Sequence, residues 1–449
     1  MIFPRATRTL FFLLVLLVVS PGCTPAAEQA AKTPHPIMIF PFVLLLLAVA
    51  VIPLVSRHWW ERNYPAIAAG LGVIPVCYYV LFIGRGADMA HTALEYASFV
   101  ILIGSLFTVA GGIHIRIGGK AAPLTNALLL ASGAALSNLI GTTGASVILI
   151  RPYLRLNRHR IRGYHIVFFI FIVSNIGGSL TPIGDPPLFL GYLRGVPFFW
   201  VGEHLWPIWI LAVGALLLLF FVIDVKQSKA SPAAKSGNPH LREGGATGGL
   251  HNTIFLAVIL AASFINHPLF LREILMVIAA VCSFIFTKKS VRRQNEFSFL
   301  PLKEVAIVFA GIFATMAPAL DWLELHAHSI GITTPGQYFW GTGLLSSILD
   351  NAPTYLSFLS AAVGSFAPAG VGGISFLVAQ YGVHLMAIST AAVFFGSLTY
   401  IGNAPNLLVK SIAEHAGISV PGFAAYIGRY SIPILIPLLA LVWWIWFWG

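Results

Sequence analysis

The sequence predicts an all-α, polytopic membrane protein of about 10 spans, folded as an inverted repeat with two re-entrant hairpins and two broken helices. Three observations carry this expectation. Only 9% of the 449 residues are charged and 58% are hydrophobic, whereas a soluble domain carries roughly 25% charge. Lysine and arginine fall almost entirely in alternate loops. One polar, glycine-rich motif occurs twice, each time inside an apolar stretch. The composition excludes a soluble enzyme, a nucleic-acid-binding protein and a disordered chain, so the net charge of +11 is not a nucleic-acid signal.

At the N-terminus, Arg5 and Arg8 precede the apolar run Leu10–Val19, and residues 1–23 read as a signal sequence. Ser20-Pro21-Gly22-Cys23 is a poor lipobox, cleavage near Ala26-Ala27 is a second option, and an uncleaved helix is the structural alternative. In each case residue 24 starts outside the cytoplasm. Residues 38–90 form scaffold helices, with spans at 38–55 and 64–84. Repeat 1 covers 91–224: a span at 92–112, a hairpin at 123–150, a broken helix at 165–195 and a final span at 205–224. The polar stretch 225–250, rich in Gly, Ser, Pro and Lys, is a cytoplasmic linker. Scaffold spans at 251–267 and 271–287 occupy 251–303. Repeat 2 covers 304–449, with a span at 304–320, a hairpin at 340–360, a broken helix at 383–410 and a last span at 430–448. Cys23, Cys77 and Cys282 supply neither a disulfide framework nor metal-ligand spacing.

The basic residues orient the chain. With residues 123–150 entering and leaving on the cytoplasmic side, twenty of the 26 Lys and Arg lie inside. Lys32, Arg85, Arg194 and Arg272 lie outside, and Arg5 and Arg8 belong to the leader. The loops flanking the second hairpin, 321–339 and 361–382, contain no Lys or Arg, so that hairpin enters from the outer face. Opposite insertion of two similar units is an inverted repeat, the architecture of many secondary transporters.

Local sequence supports the repeat. Gly178-Ser179-Leu180-Thr181-Pro182-Ile183-Gly184-Asp185-Pro186-Pro187 matches Gly396-Ser397-Leu398-Thr399-Tyr400-Ile401-Gly402-Asn403-Ala404-Pro405. Ser137-Asn138 of the first hairpin falls where Asp350-Asn351 falls in the second. Glu95 and Glu304 each open the span before a hairpin, where a carboxylate suits the helix dipole.

Irregular backbone inside a bilayer is tolerated only where it is buried in protein or lines a wet cavity. Freed carbonyls there can coordinate a small cation. Thr181, Thr399, Ser137, Asn138, Asn351 and Thr354 add neutral oxygens, a hard-ligand set suited to Na+. Asp185 and Asp350 are the acids of these interruptions. A carboxylate at mid-membrane depth is costly and is usually retained for function. Burial favours its protonated form and a bound Na+ its charged form, which is the minimal chemistry of cation/proton exchange. Against this, Asp185 before Pro-Pro also suits a helix N-cap, and Asp350-Asn351 a turn. The acids are not duplicated: Asn403 stands at the place of Asp185, and Ser137 at that of Asp350. The 14 histidines are scattered without metal-site spacing and read as solvated or interfacial. The terminal LVWWIWFWG reads as an interfacial aromatic anchor. Enzyme signatures are missing: there is no HExxH, GxSxG or P-loop, and Pro182-Ile183-Gly184-Asp185 with Leu349-Asp350 does not meet the intramembrane aspartyl protease pattern.

GGSLTPIGDPPLFLGYLRGVPFFW (177–200), SNLIGTTGAS (137–146) and LDNAPT (349–354) resemble the ion-transporter superfamily. Within it the chain is similar to bacterial proteins described as citrate transporters or as sodium:proton antiporters, including the D-type antiporters, over roughly residues 90–449. The resemblance implies an elevator-like carrier, a homodimer, with a mobile part that holds the hairpins and broken helices and binds Na+ at paired Ser-Asn-Thr-like tips. Ser137-Asn138 lacks an immediate threonine, and Thr142 and Thr143 follow four and five positions after Asn138. Asp350-Asn351-Ala352-Pro353-Thr354 matches the antiporter branch. These tips, with Thr181, Gly184, Asp185, Thr399, Gly402 and Asn403, form the expected ion- and proton-binding set, and Glu95 and Glu304 are secondary candidates. Expected function is Na+/H+ antiport in the bacterial inner membrane, with both mature termini outside the cytoplasm and no cofactor beyond the transported or coupling Na+ and H+. The alternatives are cation-coupled uptake of citrate or another carboxylate, and channel-like or metalloid efflux.

Overall fold

The computed structural model describes residues 33–116, 121–230, 247–265, 268, 270–368 and 372–448. The leader at 1–23 and residues 231–246 of the expected linker lie outside the described residues. Among the described residues the chain is helical and has no β-strand, only an antiparallel bridge between His114 and Gly248. Among the described residues seven helices are long and apolar enough to cross a membrane, or eight if one bent pair counts as a span. The protein is an all-α polytopic membrane protein.

Two outer helices, α1 (Phe40–Val55) and α2 (Arg57–Cys77), come first. A π-turn at Tyr78–Ile83 and the left-handed Gly84 end α2. Helix α3 (Gly86–Ala110) follows, then the first hairpin, α4 (Pro123–Leu156). Pro123 opens α4 at a position where a missing N–H costs nothing. Gly141 breaks it with φ 78° and ψ 154°, a conformation open essentially only to glycine. The two arms meet at their feet, where the Asn126 and Asn157 amides exchange hydrogen bonds at 2.8 Å. This explains why the hairpin runs on to residue 156, past the expected end at 150.

The first broken helix is α5 (Gly163–Ile172), a short 3-10 turn at Ile176–Gly178, and α6 (Pro186–Leu193). Helix α7 (Trp200–Ala230) follows, then α8 (Asn252–Ala262), α9 (Leu271–Phe286) and the short α10 (Lys289–Gln294). Helix α7 extends into the stretch read as linker because Asp224 is held inside the protein, as described below. Helix α11 (Leu300–Ile330) ends at the left-handed Gly331. The second hairpin is α12 (Pro335–Ser346) and α13 (Asn351–Phe366). Thr334 and Gln337 start it with a capping box.

Part of the stretch read as an outer loop is helical: α14 (Gly373–Gln380) meets α15 (Gly382–Phe395) at 100°. Its Leu377 is buried, so apolar packing fixes this helix. The second broken helix is α15 and α16 (Ala404–His415), and the chain closes with α17 (Phe423–Trp446).

Burial separates the layers. In the most apolar windows of α1 and α2 only 28% and 22% of residues are buried, against 72% in the first hairpin. Ile166 to Ile172 of α5 and Ala387 to Phe395 of α15 are buried without interruption. Helices apolar on every side belong in the interior. The broken helices and hairpins are therefore the core, while Leu44, Leu47 and Val51 of α1 and Ile274, Val277, Ile278 and Val281 of α9 turn outward.

Two buried polar clusters were not anticipated. Asp224 accepts from Asn126 (3.0 Å), from Tyr164 (2.6 Å) and from Arg160, with His165 Nε2 at 3.3 Å. His165 is fully buried and His114 nearly so, bonded to Asn295 at 2.8 Å. These two histidines are interior hydrogen-bonding groups, in contrast to the solvated reading.

Candidate functional site

The twin motif folds the same way in both repeats, and its residues show why. The two glycines of each copy touch through backbone: a Cβ on Gly184 would stand 2.0 Å from Gly178 O, and one on Gly402 would stand 2.7 Å from Gly396 O. The threonine between them does two jobs. Thr181 Oγ1 accepts from Gly184 N (3.1 Å) and donates to Asn138 O (2.6 Å) of the first hairpin. Thr399 Oγ1 accepts from Gly402 N (3.2 Å) and donates to Ser347 O (2.6 Å) of the second. Both hydroxyl protons are committed to locking a hairpin tip onto a broken helix.

This pattern corrects the register expected between the hairpins. Asn138 and Ser347 are equivalents, since each offers its carbonyl to the motif threonine. One residue earlier, Ser137 donates to Val173 O (2.8 Å) and Ser346 to Ala392 O (2.6 Å). Asp350-Asn351 therefore corresponds to Gly141-Thr142, not to Ser137-Asn138. Polar side chains alone misaligned the tips, because the break in one hairpin is a glycine and in the other an aspartate cap.

The two acids lie in different settings. Asp185 stands at the N-cap of α6, yet its side chain makes no capping bond. It is 1% exposed and takes three side-chain donors: Thr142 Oγ1 at 2.7 Å, Asn351 Nδ2 at 3.0 Å and Asn403 Nδ2 at 3.0 Å. One carboxylate thus joins the first hairpin, the second hairpin and both broken helices. Asp350 is only partly buried and caps α13, accepting from Ala352 N at 3.0 Å. The capping role fits Asp350, and the buried-carboxylate role fits Asp185.

The other expected residues are placed as follows. Asn138 Oδ1 accepts from Leu180 N (2.8 Å) and its Nδ2 donates to Gly177 O (2.6 Å). Asn351 Oδ1 lies 2.7 Å from Ser346 Oγ, whose one proton is shared with Ala392 O. Thr354 donates to Asp350 O within its own helix. Thr143 lines a cleft beside the junction. Glu95 does not open its helix. It sits well inside α3, 7% exposed, in an ion pair with Arg194, the C-cap residue of α6 (Nε–Oε1 2.8 Å). Glu304 lies in the second turn of α11, partly buried. Neither glutamate hydrogen-bonds to Asp185.

The Glu95–Arg194 pair ties α3 to α6. Removing the cation from a buried carboxylate costs about 3–5 kcal/mol, less here because Arg194 keeps 31% of its side chain exposed. We expect Arg194→Met to lower the melting temperature of the detergent-solubilised protein by several degrees. Glu95→Gln on that background should recover part of the loss, as thermal denaturation will show.

Asn175 and Asn406 were missed. Asn175 lies in the apolar run FIVSNIGG, and Asn406 follows Asn403 by three residues. Both are fully buried. The available signal was an amide beside each copy of the doubled motif, three residues before Gly178 and three after Asn403.

A narrow cleft reaches the junction. Phe99, Leu102, Leu106 and Phe107 of α3 form one wall, and Gly141 to Gly144 with Pro182 to Pro186 form the other. Its polar side chains are Thr142, Thr143 and Asp185, and among the described residues no Lys, Arg or His lines it.

A polytopic helical protein whose hairpin tips and broken helices converge on a buried polar junction is a transporter by architecture. Comparison with known proteins agrees. Residues 31–447 match the family described as "putative citrate transport", and the chain belongs to that family. It is 24% identical over 410 residues to an uncharacterized transporter of Mycobacterium tuberculosis, covering 84% of this chain and 92% of the relative. An uncharacterized transporter of Mycobacterium bovis matches to the same extent. A 46 kDa membrane protein of Mycobacterium leprae is 25% identical over 315 residues, covering 66% of this chain and 71% of the relative.

Proposed function

We propose that this transporter exchanges Na+ for H+, with Asp185 as the group that carries either ion. The observation behind this reading is the single buried carboxylate shared by both hairpins and both broken helices, beside a cleft with no basic side chain. A cation entering the cleft meets a negative charge and hydroxyl and carbonyl oxygens, a hard-ligand set. A free tricarboxylate would meet the same negative charge and no counter-charge. Na+ and H+ compete for Asp185 because one is bound by the carboxylate and the other removes its charge. Asp350 holds the start of α13, and with it Asn351, against Asp185. Motion of the hairpins and broken helices past α3 and α11 carries the site between the two faces of the inner membrane, with the termini outside the cytoplasm.

A second reading, cation-coupled citrate transport, is favoured by the family description. A bound cation would neutralise Asp185, and the amides that open α13 and the second arm of α4 would face the anion. Purified protein in proteoliposomes separates the two. A Na+ gradient that drives pH change without carboxylate supports antiport. Radiolabelled citrate uptake that requires Na+ or H+, with no exchange in its absence, assigns the second function and overturns the first.

A further inference from the structure

A buried chain of three asparagine amides runs away from Asp185. Asn403 Nδ2, besides donating to Asp185 Oδ1 at 3.0 Å, donates to Asn175 Oδ1 at 3.1 Å and faces Ser174 O at 3.3 Å. Asn175 Nδ2 donates to Asn406 Oδ1 at 2.7 Å and to Ile170 O at 2.9 Å. Asn406 Nδ2 donates to Gly396 O at 2.8 Å and Thr399 O at 3.0 Å. Backbone carbonyls at every link set the direction of the chain: Gly396 O and Thr399 O at Asn406, Ile170 O at Asn175 and Ser174 O at Asn403. Backbone carbonyls only accept, so Asn406 must turn its nitrogen to them and its oxygen to Asn175. Asn175 then presents its oxygen to Asn403, and Asn403 its nitrogen to Asp185. Turning any one amide over would set donor against donor or acceptor against acceptor, in an interior where an unmatched polar group is costly.

The repeat indicates that this chain is not general scaffolding. The register that lays Gly178 on Gly396 lays Asp185 on Asn403, Asn175 on Val393 and Asn406 on Leu188. At the aligned positions Val393 and Leu188 are buried aliphatics, at 0% and 1% exposure; Leu188 lies on α6 as Asn406 does on α16, whereas Val393 lies within α15 and Asn175 in the break after α5. The amides occur only on the side that serves the carboxylate.

We propose that Asn406 and Asn175 are positioning residues that hold the Asn403 amide nitrogen on Asp185 and so set the pH range and the Na+ concentration at which Asp185 exchanges its ions. The proposal rests on the reading of Asp185 as the exchanging group. A donor that cannot turn supports the charged carboxylate more strongly than the protonated one, which keeps one acceptor oxygen and would need an acceptor for its O–H. The chain therefore biases the competition toward release of the proton and binding of the cation.

The test uses Asn175→Val and Asn406→Leu, the residues that the other repeat carries, with full-length protein in proteoliposomes. Na+/H+ exchange is measured across pH and Na+ concentration. Each variant should move the pH profile alkaline by about one unit, a tenfold change, and raise the Na+ half-saturation about threefold or more at neutral pH. The double variant should move them no further than Asn175→Val alone, because both substitutions act through one link. A lower rate with profile and half-saturation unmoved, or additive shifts in the double variant, overturns the relay. If Asn175→Val is not monodisperse after purification, Asn406→Leu decides by the same readouts. Wild-type protein that exchanges no Na+ for H+ overturns the reading of Asp185 and the relay together, whereas active wild type with unmoved variants overturns the relay alone.

Discussion

Asp185→Asn is expected to reduce Na+/H+ exchange to background, a loss of about two orders of magnitude or more, because an amide neither holds the charge nor releases a proton in the working pH range. The measurement is Na+-induced fluorescence dequenching in acid-interior everted vesicles. The substitution should leave the protein folded. It makes the first motif like the second, which already carries Asn403 at this place. Thr142 and Asn403 donate to the same oxygen of Asp185 and keep that acceptor in the amide. Asn351 Nδ2 loses its acceptor, at a cost of about 1–3 kcal/mol. The contrasting variant is Asp350→Asn. Asparagine caps a helix as well as aspartate does, so most of the exchange should survive. A dead Asp350→Asn beside an active Asp185→Asn would reverse the roles given to the two acids.

The second large effect is expected at Gly184. A methyl group there would stand 2.0 Å from Gly178 O, and backbone cannot swing aside as a flexible side chain can. Overpacking of a core side chain costs about 1–3 kcal/mol, and displacement of two backbone segments should exceed that range. Gly184→Ala should therefore lose both transport and most of the monodisperse protein on size exclusion. Gly402→Ala, with its nearest contacts at 2.7 Å, should be milder. Gly70→Ala is the reference: a Cβ there meets nothing within 4 Å, and a helical Gly replaced by Ala is neutral to stabilising by up to about 1 kcal/mol. Equal melting temperatures for Gly184→Ala and Gly70→Ala would refute the backbone lock as the reason for the motif.

Much of the fold was legible because a bilayer constrains sequence more tightly than water does. The low charge identified the class, and the doubled GSLTxIG motif marked the two broken helices. The structure gives that motif its meaning: a glycine pair in backbone contact and a threonine that bridges to a hairpin. Those contacts repeat locally, so their signature repeats too. The hairpin register was misread for the opposite reason. Ser137-Asn138 and Asp350-Asn351 look alike as polar pairs, but the hydrogen bonds that define equivalence reach carbonyls, and carbonyls leave no trace in side-chain identity. Glu95 was misplaced because its helix begins at Gly86, nine residues earlier, in a stretch too polar to read as span. Its partner Arg194 lies 99 positions along the chain.

The sequence by itself determined a helical membrane protein, the two interrupted segments and the short list of acids within them. Hydropathy, charge and glycine spacing act over a few turns of helix, and a linear reading captures them. Only the tertiary structure decided that Asp185 is the shared carboxylate and Asp350 a cap, and that Asn175 and Asn406 stand behind Asn403. A buried polar group is defined by the partners that replace its water. For Asp185 those partners come from positions 142, 351 and 403, which meet only when both repeats have packed together.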